Sequence, residues 1–286
     1  MTVTVHDTTR CLLGEGPLWH PQREQLYWCD ILSRRVMTRE GDRLRSFDFD
    51  RFVSCLAWVD QEHLAVATQT DIALLNVETG EQTHLHPLEA DNPATRSNDG
   101  RVDPWGGFWI GTMGTGKEAQ AGSIYRFHKG ALTQLLDGIT ITNAICFSPR
   151  HDWAYFTDTP TQIVMRWKLG SDGTPLGDPE PFIDETRAGH SPDGAVCDSD
   201  GRLWVSHWGS GRVAIYSPDG QFEREVRLPA TQITCPAFGG PGLATLFATS
   251  AAVGLSEDAV TSDVGHGRTF AVAGEGVGQR EHQLIM

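Results

Sequence analysis

Four oxygen-bearing side chains, Glu15, Asn98, Asn143 and Asp193, each head a short segment that runs on into apolar or aromatic residues. Ser54 and Thr234 hold the same place in two further segments. Converging carboxylates repel unless something positive sits between them, and a divalent cation is the economical answer. Glu15, Asn143 and Asp193 offer hard oxygen donors, with neither thiolate nor imidazole. That set suits Ca²⁺, Mg²⁺ or Mn²⁺ better than a structural Zn²⁺ site. Three protein ligands leave positions for water and substrate. Asn98-Asp99-Gly100 and Pro192-Asp193-Gly194 also have the composition of ordinary turns, and spacing alone leaves both readings open.

A repeat must bring these residues together. Six segments share one plan: a polar residue, a short apolar run, a turn, then an apolar or aromatic strand. The leading residues are 15, 54, 98, 143, 193 and 234, with steps of 39, 44, 45, 50 and 41. Strand-only units at this period belong to the propeller range. The second half of the unit repeats too. Ile72–Gly80, Ser123–Gly130 and Val213–Gly220 read as strands ending in a glycine turn, each followed by a weaker strand.

The reading is therefore an all-β chain, a six-bladed propeller of four-stranded blades, with residues 1–286 as one domain. The leading side chains are expected on a ring at one mouth of the central channel. Thr2–Val5 and Thr269–Val272 are expected to pair and close the last blade, which removes an open sheet edge. The Gly/Pro-rich stretch 170–179 falls inside the fourth unit and reads as an inter-strand loop.

Composition agrees. The 286 residues include 31 Gly and 15 Pro, a load that favours turns over helical bundles. The net charge of −14 repels phosphate backbones and anionic membranes, so neither nucleic acid nor membrane is an expected partner. No apolar run reaches membrane-spanning length, and the first residues alternate without a signal-peptide pattern. Six scattered cysteines without a C-x-x-C pair read as reduced, buried thiols of a cytoplasmic protein. Oligomeric state leaves no mark.

The ordered motifs Leu13-Gly-Glu-Gly-Pro-Leu-Trp19, Arg96-Ser-Asn-Asp-Gly-Arg-Val-Asp-Pro104, Phe108-Trp-Ile-Gly-Thr-Met113, Asn143–Pro149, Tyr155-Phe-Thr-Asp158 and Ser191-Pro-Asp-Gly194 resemble the SMP-30/gluconolactonase/luciferin-regenerating-enzyme family, which includes regucalcin. The resemblance runs from about residue 11 to 273. It implies a metal-dependent sugar-lactone hydrolase giving an aldonic acid. It also implies one divalent metal held by Glu15, Asn143 and Asp193, with Ca²⁺ favoured and Zn²⁺, Mn²⁺ or Mg²⁺ accepted by relatives. Asp193 is then also the base for the attacking water. Arg96 and Asn98 match the family's substrate contacts. A substrate-contacting acid in the loop after Gly-Thr-Met points to Glu118, with Lys117 beside it.

Two rival functions use the same residues: a regucalcin-like calcium-binding protein without important turnover, and a phosphotriesterase-type hydrolase. Ala144 stands where the family often has glycine. His84-x-His86 reads as a surface pair and Asp158 as a structural hydrogen bonder. His207, after the strand Leu203-Trp-Val205, is within possible reach of the channel. No Gly-x-Ser-x-Gly elbow supports a serine nucleophile.

Overall fold

Residues 2–262 and 265–286 are described by the structure, a computed structural model. Six four-stranded antiparallel sheets form a β-propeller. Blade 1 joins Gly14–His20, Gln25–Asp30, Arg35–Glu40 and Arg43–Asp48, and blades 2 to 5 repeat the meander in order along the chain. Their inner strands are Val53–Trp58, Thr95–Val102, Thr142–Phe147 and Ser191–Cys197. Blade 6 takes Ile233–Gly239, Thr245–Ser250 and Thr269–Ala273 from the end of the chain, and Val3–Asp7 as its outer strand. Val3 pairs with Val272, the closure expected from the sequence. One short α-helix, Glu257–Ser262, interrupts blade 6. Among the described residues no helix is long and apolar enough to cross a membrane.

The apolar runs are buried on both faces, as strands stacked between neighbouring sheets require. Six hydrophobic clusters result, one at each blade interface. Blades 1 and 2 meet through Tyr27, Leu56, Trp58 and Val66, and blades 5 and 6 through Trp204, Ile215, Phe238 and Phe270. The turn residues support the tryptophans. Asp103 and Asp198 each accept backbone N–H groups of their own turn with one oxygen. The other oxygen accepts Trp109 Nε1–H or Trp204 Nε1–H at 3.0 Å. All six cysteines are buried and unbridged.

The inner strands share one irregularity. Their register with the second strand slips between Glu15 and Leu18, Val53 and Cys55, Ser97 and Gly100, Asn143 and Cys146, Pro192 and Ala195, and Ile233 and Pro236. A β-bulge re-aims side chains and bends the strand, here at one repeat position in every blade. Gly16 needs its left-handed φ of 53° there, and a Cβ would meet the Ser54 carbonyl oxygen at 2.3 Å. Ala144 adopts φ 58° at the same place without being glycine.

The far end of the channel is covered by a segment the repeat did not assign. Residues 278–285 cross the inner strands of four blades. Gly278 bridges Asp198, and Gln279 Nε2 donates to the carbonyls of Phe147 and Cys197. Glu281 forms an ion pair with Arg101 at 2.5 Å, both largely buried. Trp58 Nε1 donates to the Glu281 carbonyl, and Leu284 joins the core between blades 2 and 3.

Candidate functional site

At the opposite end lies a cavity of about 310 Å³, at the lower bound for small-molecule sites. Its lining comes from the starts of inner strands, the ends of the strands beside them and the loops at this end of the ring. Glu15, Arg96, Asn98, Asn143 and Asp193 all line it and are all buried. The other two leading residues differ from the expected ring. Ser54 and Thr234 are fully buried and do not line the cavity. Ser54 Oγ donates to Ser97 Oγ at 2.7 Å, and Thr234 Oγ1 donates to the Gly14 carbonyl at 2.5 Å. Short side chains at those bulges are spent joining blades.

A hydrogen-bonded chain orders the longer ones. Arg96 can only donate, and its Nη1 donates to Asn98 Oδ1 at 2.8 Å. This fixes the Asn98 amide, whose Nδ2 donates to Asn143 Oδ1 at 3.0 Å and to the Thr142 carbonyl at 2.9 Å. Asn143 Nδ2 then donates to Thr159 Oγ1 at 2.9 Å, and Thr159 donates to the Pro192 carbonyl at 2.8 Å. One arginine thus sets the polarity of both carboxamides. Asn143 Oδ1 keeps a lone pair, whereas both Asn98 amide hydrogens are occupied within the protein.

The carboxyls are electrostatically frustrated. Burial, then the neighbouring Asp193 and Asp99, push Glu15 well above the usual carboxylate range. Burial and Asp99 do the same to Asp193. Arg96 offsets them only in part, and burial draws its own pKa down to about 10, so it stays charged at neutral pH. Asp99, which the spacing argument passed over, accepts the Ile145 N–H at 2.7 Å from within the neighbouring bulge. Its signal was the one acid of Asn98-Asp99-Gly100.

This donor set fits a divalent cation: two buried carboxylates that repel one another and a carboxamide oxygen presented by a fixed amide. Ionised together without a cation, the carboxylates are unfavourable.

The remaining singled-out residues separate. Lys117 lines the cavity from an exposed loop. Glu118 is exposed, and its Oε2 accepts the Gly116 N–H at 3.0 Å. Asp158 accepts the Ile141 N–H at 2.9 Å, and His84 pairs with Asp71. His207 is fully buried away from the cavity, stacked on His190 with centroids 5.1 Å apart. With Glu185 these histidines bring three possible ligand atoms within 4.8 Å of one another. The hydrogen bonding disfavours a metal there. Arg212 Nε donates to His207 Nδ1 at 2.9 Å, so Nε2 carries the ring hydrogen and has no lone pair. Arg212 Nη2 also faces Glu185 Oε2 at 3.6 Å, placing positive charge in the cluster.

Comparison with known proteins gives the family to which this fold belongs. A 6-deoxy-6-sulfogluconolactonase of Pseudomonas putida is 36% identical, over 86% of this chain and 88% of that protein. An L-arabinolactonase of Azospirillum brasilense is 34% identical, over 92% and 88%. The crystal structure of a calcium-binding protein, regucalcin, from Agrobacterium tumefaciens superposes with a TM-score of 0.96 at 39% identity, covering 99% of this chain and 97% of that one. Residues 13–252 match the description SMP-30/Gluconolactonase/LRE-like region, and the chain belongs to that family.

Proposed function

We propose that the protein hydrolyses a sugar lactone to its aldonic acid at this cavity, in a divalent-cation-dependent reaction. The carrying observation is the buried Glu15–Asp193 pair, with Asn143 Oδ1 beside it, at the floor of a cavity of monosaccharide size. Glu15, Asn143 and Asp193 would hold the cation, which when bound supplies Lewis acidity toward the lactone carbonyl and acidifies water. Ca²⁺ suits three hard oxygen donors, and Mg²⁺, Mn²⁺ and Zn²⁺ are the alternatives to test.

The chain's own groups do the rest. Arg96 has guanidinium N–H groups beyond its bonds to Asn98 and to the Ser97 carbonyl, and these can orient the lactone through its oxygens. Asn98 chiefly fixes the Asn143 amide and retains one acceptor lone pair for a substrate hydroxyl. Asp193 takes the proton of the attacking water. The water oxygen bonds to the carbonyl carbon, the bond from that carbon to the ring oxygen breaks, and the ring oxygen ends protonated as a hydroxyl. Lys117 and Glu118 lie on the loop beside the mouth, where Lys117 is the one that reaches the cavity wall.

The test is an aldonolactone panel of five- and six-membered rings, run in EDTA and with each cation restored. Metal-dependent turnover, lost by roughly 10²–10⁴-fold in Asp193→Ala while the fold persists, is expected. Cation binding without hydrolysis of any lactone would favour the calcium-binding reading.

A further inference from the structure

The cavity's buried charged and amide side chains are gathered at its floor. Above it stand six half-buried apolar side chains: Leu13, Leu32, Phe52, Ile141, Trp208 and Val253. None belongs to the six clusters that bind the blades together. Their apolar surface is therefore not consumed in building the ring, and it faces the cavity.

Polar groups at this level are few and mostly engaged. Thr159 Oγ1 accepts from Asn143 and donates to the Pro192 carbonyl. Thr115 Oγ1 donates to the Ala94 carbonyl at 3.1 Å. Lys117 belongs to an exposed loop where its ammonium remains hydrated. Ser191 is left as the wall's one further hydroxyl.

With the lactone carbonyl at the floor, the ring and its exocyclic carbon rise among these six residues. A hydroxyl placed there loses water and has few partners to gain: Ser191 Oγ, Lys117 Nζ and the Trp208 indole N–H. A methyl group there gains apolar burial instead. We infer, resting on the lactonase reading, that the preferred substrate is a deoxy-sugar lactone whose exocyclic end carries a methyl group in place of a hydroxymethyl. Arg96 and the cation-binding residues recognise the lactone and ring oxygens; the six-residue wall selects for the missing hydroxyl.

The experiment is kinetics on matched pairs: a hexonolactone and its 6-deoxy counterpart of the same configuration and ring size, with saturating cation. The 6-deoxy member should win by about 10- to 100-fold in kcat/KM, mostly through KM. Trp208→Gln and Leu32→Gln, made separately, should move that ratio toward one while cation affinity stays unchanged. A parent lactone turned over as well as its deoxy partner, or a ratio indifferent to both substitutions, overturns the inference and leaves the lactonase reading intact. No hydrolysis of any lactone would sink the lactonase reading, and this inference with it.

Discussion

The two ends of the channel are built from the same six inner strands and treat charge in opposite ways. At the far end, Arg101 meets Glu281 across 2.5 Å under a covering segment, so each buried charge has its opposite. At the mouth, Glu15 and Asp193 are buried together with Arg96 as the cation that offsets them, and Asp99 behind them is offset by Arg101. The far end is satisfied by the chain alone. The mouth leaves two like charges facing one another, the imbalance that a bound cation would relieve under the proposed reading. Unlike charges brought together mark a fold being closed, and like charges brought together mark a place held for a ligand.

Removing one partner at each end would sharpen this contrast. Glu281→Ala leaves a buried guanidinium without its carboxylate and should cost roughly 3–5 kcal/mol in urea denaturation. Turnover per folded molecule should stay within a few-fold of the parent. A loss of activity with unchanged stability would show that the two ends are not separate devices.

The mouth responds to pH in a direction that follows from its raised carboxyls. A group whose pKa is higher folded than unfolded stabilises the fold below its unfolded pKa, and that stability is lost as pH rises through the folded value. Metal-free protein should therefore lose thermal stability as pH rises above the usual carboxylate range, where the unfolded chain has released protons that Glu15 and Asp193 still hold in the fold. A saturating divalent cation should abolish the decline. Melting curves at several pH values, in EDTA and with Ca²⁺, decide it; identical slopes would remove the cation from the account of the mouth.

The smallest effect concerns a backbone. Ala144 adopts φ 58° at a bulge where blade 1 has Gly16 at 53°. Ala144→Gly relieves a left-handed alanine but loosens the unfolded chain, so the net gain should not exceed about 1 kcal/mol. Unchanged cation affinity would confirm that the bulge is set by the strand pairing; a clear loss of stability would mean that the alanine methyl matters to packing.

Much of this was legible beforehand, because a repeat converts sequence position into place on a ring. The six units, their four strands and the pairing of Thr2–Val5 with Thr269–Val272 were read from periodicity, turn composition and the need to close the ring, and the observed strands are Val3–Asp7 and Thr269–Ala273. The repeat also brought Glu15, Asn98, Asn143 and Asp193 forward together, and the structure puts all four on one cavity. It erred for Ser54 and Thr234, because equivalence fixes where a side chain starts and not how far it extends. Asp99 escaped notice because the repeat was read one residue wide, whereas each bulge carries two. The segment 278–285 was illegible for a different reason. It has no strand alternation, and Glu281 finds Arg101 across 180 positions of sequence. Strand position left the reach of His207 open; in the structure it bonds Arg212, on the next strand, and does not line the cavity.

The pairing of the outermost strand of blade 6 bears on how the protein is made. Val3–Asp7 precedes every other strand of the ring in the chain, yet it can be placed only when its partner has been made. Its partner, Thr269–Ala273, follows some 260 residues later. Blades 1 to 5 consist of consecutive strands and can form in order as they emerge. Through that whole period the nascent chain is an open crescent with unpaired edges, the state most exposed to wrong partners. The long loop that must close to join residue 3 to residue 272 makes ring closure a late step. Anything that lengthens the interval between these two strands lengthens the time for which the crescent's edges stay unpaired.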